Sequence, residues 1–558
     1  MSARRTLIER DPITFEVVRG ALQAICEEMK SVMTQAAFSP LLSLSADLSC
    51  ALLDHDGDVV AQGNDIPVHL GAMPFAARGI LAAFPASTWR PGDAVVSNDP
   101  YSGGSHLPDM TLLTGIFDDA GLMGFAASRV HWPDIGGSAP GSSAVTDEIV
   151  KEGLRLPPVK ILAQGEMDTG LRTVIFANVR VPGDRFGDFR AQIACNARGV
   201  QRVDTLAARY GGALLREVFA NTQDLSDQRV RAALAALPDG EFRALTHLDG
   251  DGFVEDYGDG PLRLAVCVSK HGEKLTCDFT GTAPQARGPM NAPIAVTASA
   301  CYYTALAIAG GDVPPNSGAY RAVCVTAPAG SLLNAAYPAP VVAGNTEMSN
   351  RVVDLLLRAL APALGDRAIG ESYGCAGVWA IGGFDVERQR SFVHLETLGG
   401  GMGAHARGAG LDGHRVHMGN TMNLPIEAVE AALPVTIERY ALRPGSGGAG
   451  RQSGGAGVER VIRADADGVV FSLLFERANQ PAAGVAGGEP GAVANFSVQR
   501  TDGETMRVSS KTPAGILNRG DRLIMRTAGG GGYGFAPQSN VRLVDDQVMR
   551  SNCDEEES

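Results

Sequence analysis

No apolar run in this chain reaches the roughly 18 residues that a membrane helix needs, and no Lys/Arg block offsets a net charge of −14. The first absence predicts a chain with no membrane span. The second argues against nucleic acid as a partner, because phosphate is repelled by an acidic surface. The start, MSARRTLIERDPITF, carries Arg4 and Arg5 but neither an apolar core nor a small-residue cleavage site, so it reads as no export signal and the expected compartment is the cytoplasm. Cys-x-x-Cys is absent as well. Nine cysteines are scattered from Cys26 to Cys553, which excludes a zinc ribbon or disulfide scaffold and predicts reduced, mostly buried thiols. There is no Gly-Lys pair and hence no G-x-x-x-x-G-K-[ST] phosphate loop; Gly529–Gly532 lacks the lysine and the following helix.

What the chain has in excess is glycine, 69 of 558 residues with no G-X-Y period, which predicts loop-rich architecture. The length implies about three domains. Asp11-Pro12 opens a helix as N-cap and first helical residue, and Phe15, Val18, Leu22, Ile25, Met29, Val32 and Ala36 continue it as an apolar stripe. The period then changes to strand, tight turn, strand over 45–62. The turn DHDGD resembles a calcium loop only superficially, since its Gly falls at the fourth position and not the sixth. Short apolar runs at 94–96, 110–117 and 122–127 alternate with Gly/Pro/Asp loops; helices are expected at 190–210, 296–309 and 349–361, and strands over 240–285 and beyond 430. The predicted class is α/β to α+β, multidomain, with mixed β-sheets and a largely β C-terminal part. The predicted division is 1–230, a metal-site domain; 231–430, a central α/β domain; 431–535, mostly β; and 536–558, an acidic and disordered tail.

Two of only ten histidines share one four-residue frame: His106-Leu-Pro-Asp109 and His131-Trp-Pro-Asp134, 25 residues apart and each beside glycines. One reading is a repeated turn sequence with histidine paired to aspartate. The other is a metal site, because two imidazoles and a carboxylate form a common open ligand set for zinc or another divalent ion. His131 ends an apolar run that reads as a strand, which would set it at the rim of a rigid frame. His69 reads as a core or pocket histidine, and His405, His414 and His417 lie in a glycine-rich stretch, so all four stay outside the ligand set. Glu148 and Glu152, beyond the Gly/Ser loop 136–143, are candidate general bases or a solvated helix start. Gly370-Glu-Ser-Tyr-Gly374 fits a G-x-S-x-G nucleophile elbow, but only Ala368-Ile369 precedes it as strand and no helix clearly follows.

The stretch Asn98-Asp-Pro-Tyr-Ser-Gly-Gly-Ser-His-Leu-Pro-Asp109 resembles the signature of the hydantoinase B family. Further stretches agree in order: Ile66-Pro-Val-His-Leu-Gly-Ala-Met73, Asp134-Ile-Gly-Gly137, Gly187-Asp-Phe-Arg-Ala-Gln192, Asp278-Phe-Thr-Gly-Thr282, Ala343-Gly-Asn-Thr-Glu347, Ser446-Gly-Gly-Ala-Gly-Arg451 and Gly529-Gly-Gly-Gly-Tyr-Gly534. The likeness runs from about residue 12 to 535. It implies a zinc or manganese ion held by Asp47, His106, Asp109 and His131, with Asp134 in a supporting or proton-handling role. It also implies a hetero-oligomer with a hydantoinase A-like ATPase subunit, which uses ATP to phosphorylate a cyclic amide such as a hydantoin, oxoproline or lactam. The alternative it leaves open is a subunit of an ATP-dependent ketone carboxylase. One departure is visible: many relatives have a second histidine where this chain has Trp132, which puts likeness of the reaction in doubt if that histidine takes part.

Overall fold

Asp11 caps the first long helix, Pro12–Ala36, by accepting the Thr14 N–H at 3.1 Å, and the predicted stripe from Phe15 to Met29 is buried. This is a computed structural model, and it describes residues 6–253 and 262–536; the acidic tail and Cys553 lie outside the described residues. The chain is mixed α/β, with four sheets, three wholly antiparallel and one mixed, among the described residues.

The largest sheet contains β1 (Leu48–Asp54), β2 (Val59–Gln62), β3 (Ala94–Ser97), β4 (Asp109–Asp118), β5 (Gly121–His131), β6 (Val159–Ala163) and β7 (Glu166–Met167), in the order β2-β1-β5-β4-β3-β6-β7. Every neighbouring pair is antiparallel. Because side chains alternate along a strand, this sheet has two distinct faces. Cys50, Leu52, Met110, Leu112, Ala126 and Val130 point to one side and form a core with the helices Pro12–Ala36 and Pro182–Tyr210. Ala51, Leu53, Leu113, Phe125 and Ala127 point to the other and pack on Met73, Ala77 and Ile80 of the helix Pro67–Ala83. Burying each of the larger side chains is worth about 1.5–3 kcal/mol, so the sheet is clamped between helical layers. Towards the other end of β4 and β5 this second face turns polar, with Asp109, Thr111, Arg129 and His131, all buried.

A mixed four-stranded sheet within 240–326 carries the buried helices Ile294–Ala309 and Ser349–Leu364. The remaining two sheets are antiparallel and fall within 378–526: strand is dense beyond 430 as expected, but one of these sheets also takes in Val378–Asp385 and Arg390–Thr397, which pair across the division expected at 430. The helix expected from 190 begins earlier, at Pro182, because Pro at its first position fixes the helical φ without needing a partner for a missing N–H.

The glycine surplus has a more specific use than loops. Gly-rich segments around 401–403, 447–455, 484–491 and 529–532 pack backbone against backbone, joined by bonds such as Gly401 N–H to Ala528 O at 3.0 Å, Gly530 N–H to Gly455 O at 3.0 Å and Ala404 N–H to Gly531 O at 2.9 Å. A Cβ at Gly403 would fall 1.7 Å from the Gly370 carbonyl oxygen, and one at Gly530 would fall 2.1 Å from that of Met402. Only hydrogen fits between these strands of chain. The Gly531 N–H also reaches the Glu371 carbonyl at 2.8 Å, which ties this layer to a buried ion cluster: Arg477 bonds Asp354 at 2.7 Å and Glu371 at 3.0 Å, and His417 Nε2 lies 3.0 Å from Asp354. Asp354 is pushed down to about 2: burial opposes ionisation, but His417 and Arg477 outweigh it.

Candidate metal centre

β4 and β5 explain why two His-x-Pro-Asp frames occur in one chain. They are antiparallel neighbours, and their register sets Asp109 directly opposite His131. Pro108 keeps the segment ahead of β4 out of helix, and a turn bonds Asp109 N–H to His106 O at 3.1 Å, folding His106 back beside Asp109. His106, Asp109 and His131 thus each offer one ligand atom, all within 4.8 Å of one another, and all three side chains are buried.

The donor atoms converge without bonding each other well. Asp109 Oδ1 has three imidazole nitrogens around it, His106 Nε2 at 3.0 Å, His69 Nε2 at 3.3 Å and His131 Nδ1 at 3.5 Å, yet it accepts no well-formed hydrogen bond. His131 Nε2 and Asn345 Oδ1 are likewise buried without partners. Orphaned buried polar atoms are costly unless something else satisfies them, and a cation is the species that lone pairs from two imidazoles and a carboxylate satisfy together. The residues therefore fit a divalent ion.

The surroundings prepare His106 and Asp109 for that task. His106 Nδ1 donates to the Val342 carbonyl at 3.3 Å, leaving the Nε2 lone pair turned to the group. Burial pushes the His106 imidazole below its usual range, which favours the neutral form that a ligand needs. Burial works against ionisation of Asp109, but the imidazoles outweigh it and hold the carboxyl well below the usual range. Its other oxygen accepts from Ser105 Oγ and, at 3.3 Å, from Asn345 Nδ2. Asn345 Nδ2 also lies 3.1 Å from His106 Nε2, and the residue sits on a single π-helical turn, Gly344–Met348, of the kind that often marks functional positions.

Of the other residues named from the sequence, Asp47 lines the cavity beside the centre without joining the group, and three do not reach the cavity. Asp47 precedes β1, accepts the His131 N–H through its carbonyl at 3.1 Å and lines the same cavity as His69, His131 and Asn345; it is not one of the three groups within 4.8 Å. The Asp134 carboxylate accepts from the N–H groups of Arg180, of Val181 at 3.0 Å and of Gly136 at 3.1 Å, which fastens the loop after β5 to the start of the helix Pro182–Tyr210. Glu148 is half-exposed beside Lys151 at 3.6 Å. Glu152 is buried behind His106: its Oε1 accepts the Val342 N–H at 2.9 Å while the Val342 carbonyl holds His106. Burial pushes the Glu152 carboxyl up to about 8.

Trp132 leaves the strand on the opposite side from His131 and packs against Phe176 and Phe189, with ring centroids 5.8 and 5.9 Å away. The departure from the family pattern therefore lies in the helical core and not among the ligands. Ser372 of the G-x-S-x-G stretch is fully buried, accepts the Gly403 N–H at 3.2 Å and stands on no strand–turn–helix, which removes the nucleophile elbow. His69 and Asn345 are the contributors that sequence reading left without a role.

The cavity at this centre holds about 40 Å³, room for a few waters. Its walls include Ile66, Val68, Leu395 and Met418. Fold and site together define a mixed α/β protein with a buried His–Asp–His group suited to a divalent ion and open to a small, largely apolar cavity.

Comparison with known proteins agrees. The family model described as hydantoinase B/oxoprolinase matches residues 11–536. The chain is 33% identical over 549 residues to the 5-oxoprolinase PfmaA of Pestalotiopsis fici, covering 94% of this chain but 41% of that longer protein. It is 31% identical to a putative D-/L-hydantoinase component of the B type from a Pseudomonas species, covering 94% of this chain and 90% of the relative. Among solved structures, the ATP-dependent caprolactamase of Pseudomonas jessenii superposes with a TM-score of 0.86 at 29% identity, over 95% of this chain and 92% of that one. A nucleotide-free acetone carboxylase superposes with a TM-score of 0.87 over 95% of this chain and 76% of that one, at 19% identity, a likeness of fold alone. This chain belongs to the hydantoinase B/oxoprolinase family.

Proposed function

We propose that this chain is the metal-bearing subunit of an ATP-dependent cyclic-amide hydrolase that works with a separate ATPase subunit. The observation that carries the reading is the convergence of His106, Asp109 and His131 at a cavity, with Asp109 Oδ1 and His131 Nε2 buried without partners. Asp47 completes the ligand set from the edge of the cavity, and the ion is zinc or manganese. A bound divalent ion supplies Lewis acidity for a carbonyl and water of depressed pKa.

The chain's own residues do the rest. Ser105 and Asn345 hold Asp109 through Oδ2, which leaves Oδ1 for a ligand bond and fixes the orientation it needs. Glu152 acts through the Val342 peptide to keep His106 in the tautomer that frees Nε2. Ile66, Val68, Leu395 and Met418 line the cavity with apolar surface that keeps bulk water from the group. Cyclic amides are poor electrophiles, which gives ATP its purpose: phosphorylating the amide oxygen makes the carbon attackable. With no Gly-Lys pair in this chain, that step is assigned to a hydantoinase A-like partner. The caprolactamase likeness at 29% identity favours amide hydrolysis over ketone carboxylation, which the acetone carboxylase likeness supports only as fold.

The test is to purify the chain together with a hydantoinase A-like ATPase subunit, determine metal by elemental analysis and follow amide-dependent ATP hydrolysis. Full metal and full turnover in His106→Ala would refute the proposal, as would turnover that requires bicarbonate and a ketone.

A further inference from the structure

Opening a cyclic amide leaves one proton without a source. The ring nitrogen must gain a proton as its bond to carbon breaks, and neither Glu148 nor Glu152 lines the cavity. The segment Ala343-Gly-Asn-Thr-Glu347 places an acid there. On the π-helical turn Gly344–Met348, Thr346 is the one residue that is not fully buried, and it lines the cavity beside Asn345. Its Oγ1 is in hydrogen-bond contact with Oε2 of Glu347, whose side chain is fully buried. The other Glu347 oxygen, Oε1, accepts no well-formed hydrogen bond, although the Val378 N–H approaches the carboxyl.

A carboxyl in such a place keeps its proton at neutral pH. Burial pushes Glu347 up to about 8; Glu476 adds to the rise, while Lys511 opposes it with an ammonium already engaged by Glu476 at 2.6 Å. The remaining titratable neighbours, Tyr373 and Cys375, are themselves raised by burial and stay neutral. A hydroxyl carries only one hydrogen. With Glu347 protonated, its O–H donates to Thr346 Oγ1. The Thr346 O–H, otherwise held by the Val342 carbonyl at 3.4 Å, is then available to a group in the cavity.

We propose that Thr346 is the catalytic proton donor to the departing ring nitrogen and that Glu347 resupplies it from behind the cavity wall. The proposal rests on the cyclic-amide hydrolase reading and adds the proton route to that site. As the carbon–nitrogen bond of the water adduct breaks, its electron pair goes to nitrogen. Nitrogen takes the Thr346 hydroxyl proton, Thr346 takes the Glu347 proton, and Glu347 is left as a carboxylate. The proton shed when the adduct's hydroxyl becomes a carbonyl passes to water in the cavity, from which Glu347 is reprotonated through Thr346.

The test uses the zinc-loaded chain in complex with the ATPase subunit and follows ring opening of hydantoin, 5-oxoproline and caprolactam by chromatography of the products. On a ring that the wild-type complex opens, Thr346→Val and Glu347→Gln are expected to lower kcat at least about 100-fold, the low end of what a lost general acid costs. KM, metal content and thermal unfolding at pH 7 are expected to stay as in the wild type, because neither change touches a ligand. Thr346→Ser, which keeps the hydroxyl, is expected to restore most of the rate; where Glu347→Gln does not fold, the two Thr346 variants decide. The wild-type rate is expected to fall as pH rises through about 8, and the residual rate of Thr346→Val to stay level there. Wild-type turnover in Thr346→Val or Glu347→Gln, a loss that Thr346→Ser shares, or a wild-type pH profile in Thr346→Val overturns the relay and leaves the hydrolase reading standing. A wild-type complex that opens none of the three rings refutes that reading, and the relay with it.

Discussion

Replacing Glu152 with Gln is expected to stabilise the protein at alkaline pH and to leave its stability almost unchanged at pH 5. The buried Glu152 carboxyl is raised from 4.5 to about 8, burial being the cause. A group whose folded pKa lies above its unfolded value holds its proton more tightly in the folded chain. The stability that this supplies is complete below 4.5 and is lost as pH rises from there to 8. At about 1.36 kcal/mol per unit, the accumulated loss is about 5 kcal/mol by pH 8.5. Gln keeps the oxygen that accepts the Val342 N–H and cannot ionise. With an unfolding entropy of about 2.1 cal/mol/K per residue, a chain of 558 residues unfolding as one unit converts this into about 4 °C. Thermal unfolding of both proteins at half-unit intervals from pH 5 to 9 measures the difference directly. A Tm difference that stays flat with pH, or that favours Glu152 at high pH, refutes the placement of this carboxyl in a low-dielectric pocket behind His106.

Three further outcomes follow from named contacts. Asn345→Ala removes an amide that touches both His106 and Asp109, and metal affinity measured by chelator competition is expected to fall 10–100-fold, about the range for lost outer partners of ligands. Trp132→His is expected to leave metal content unchanged and to cost about 3 kcal/mol in a urea titration, because the indole belongs to the aromatic core and not to the cavity. Gly530→Ala places a Cβ 2.1 Å from Met402 O and 2.8 Å from Gly403 N, both backbone atoms, so the glycine layer must part; the expected loss exceeds about 3 kcal/mol in the same titration, and a neutral variant would contradict the packing.

Much of this architecture was legible because it rests on local physics. The helix Pro12–Ala36 announces itself through a cap and a periodic stripe, and β4 and β5 through apolar runs bounded by glycine. The repeated His-x-Pro-Asp frame pointed to one site because paired strands bring their ends together. What stayed hidden depends on contacts far apart in the chain. His69 looks like any histidine near a helix start until the helix Pro67–Ala83 is laid over the second face of the sheet, and Asn345 arrives from a π turn more than 200 residues beyond Asp109. Trp132 shows the converse: one residue past His131 the side chain turns to the other face, so a familiar motif position lies outside the site. Glycine content alone could not distinguish loops from a layer of backbones in contact, since both require a small residue.

The central claim is that side chains from β4, β5 and the turn before them hold one divalent cation. It is tested most directly by crystallising the metal-loaded chain and recording anomalous diffraction on both sides of the metal's absorption edge. One peak per chain at about 2.0–2.2 Å from His106, Asp109 and His131 is the predicted result. A peak ligated by other residues, or none at these three in a metal-loaded crystal, would contradict it.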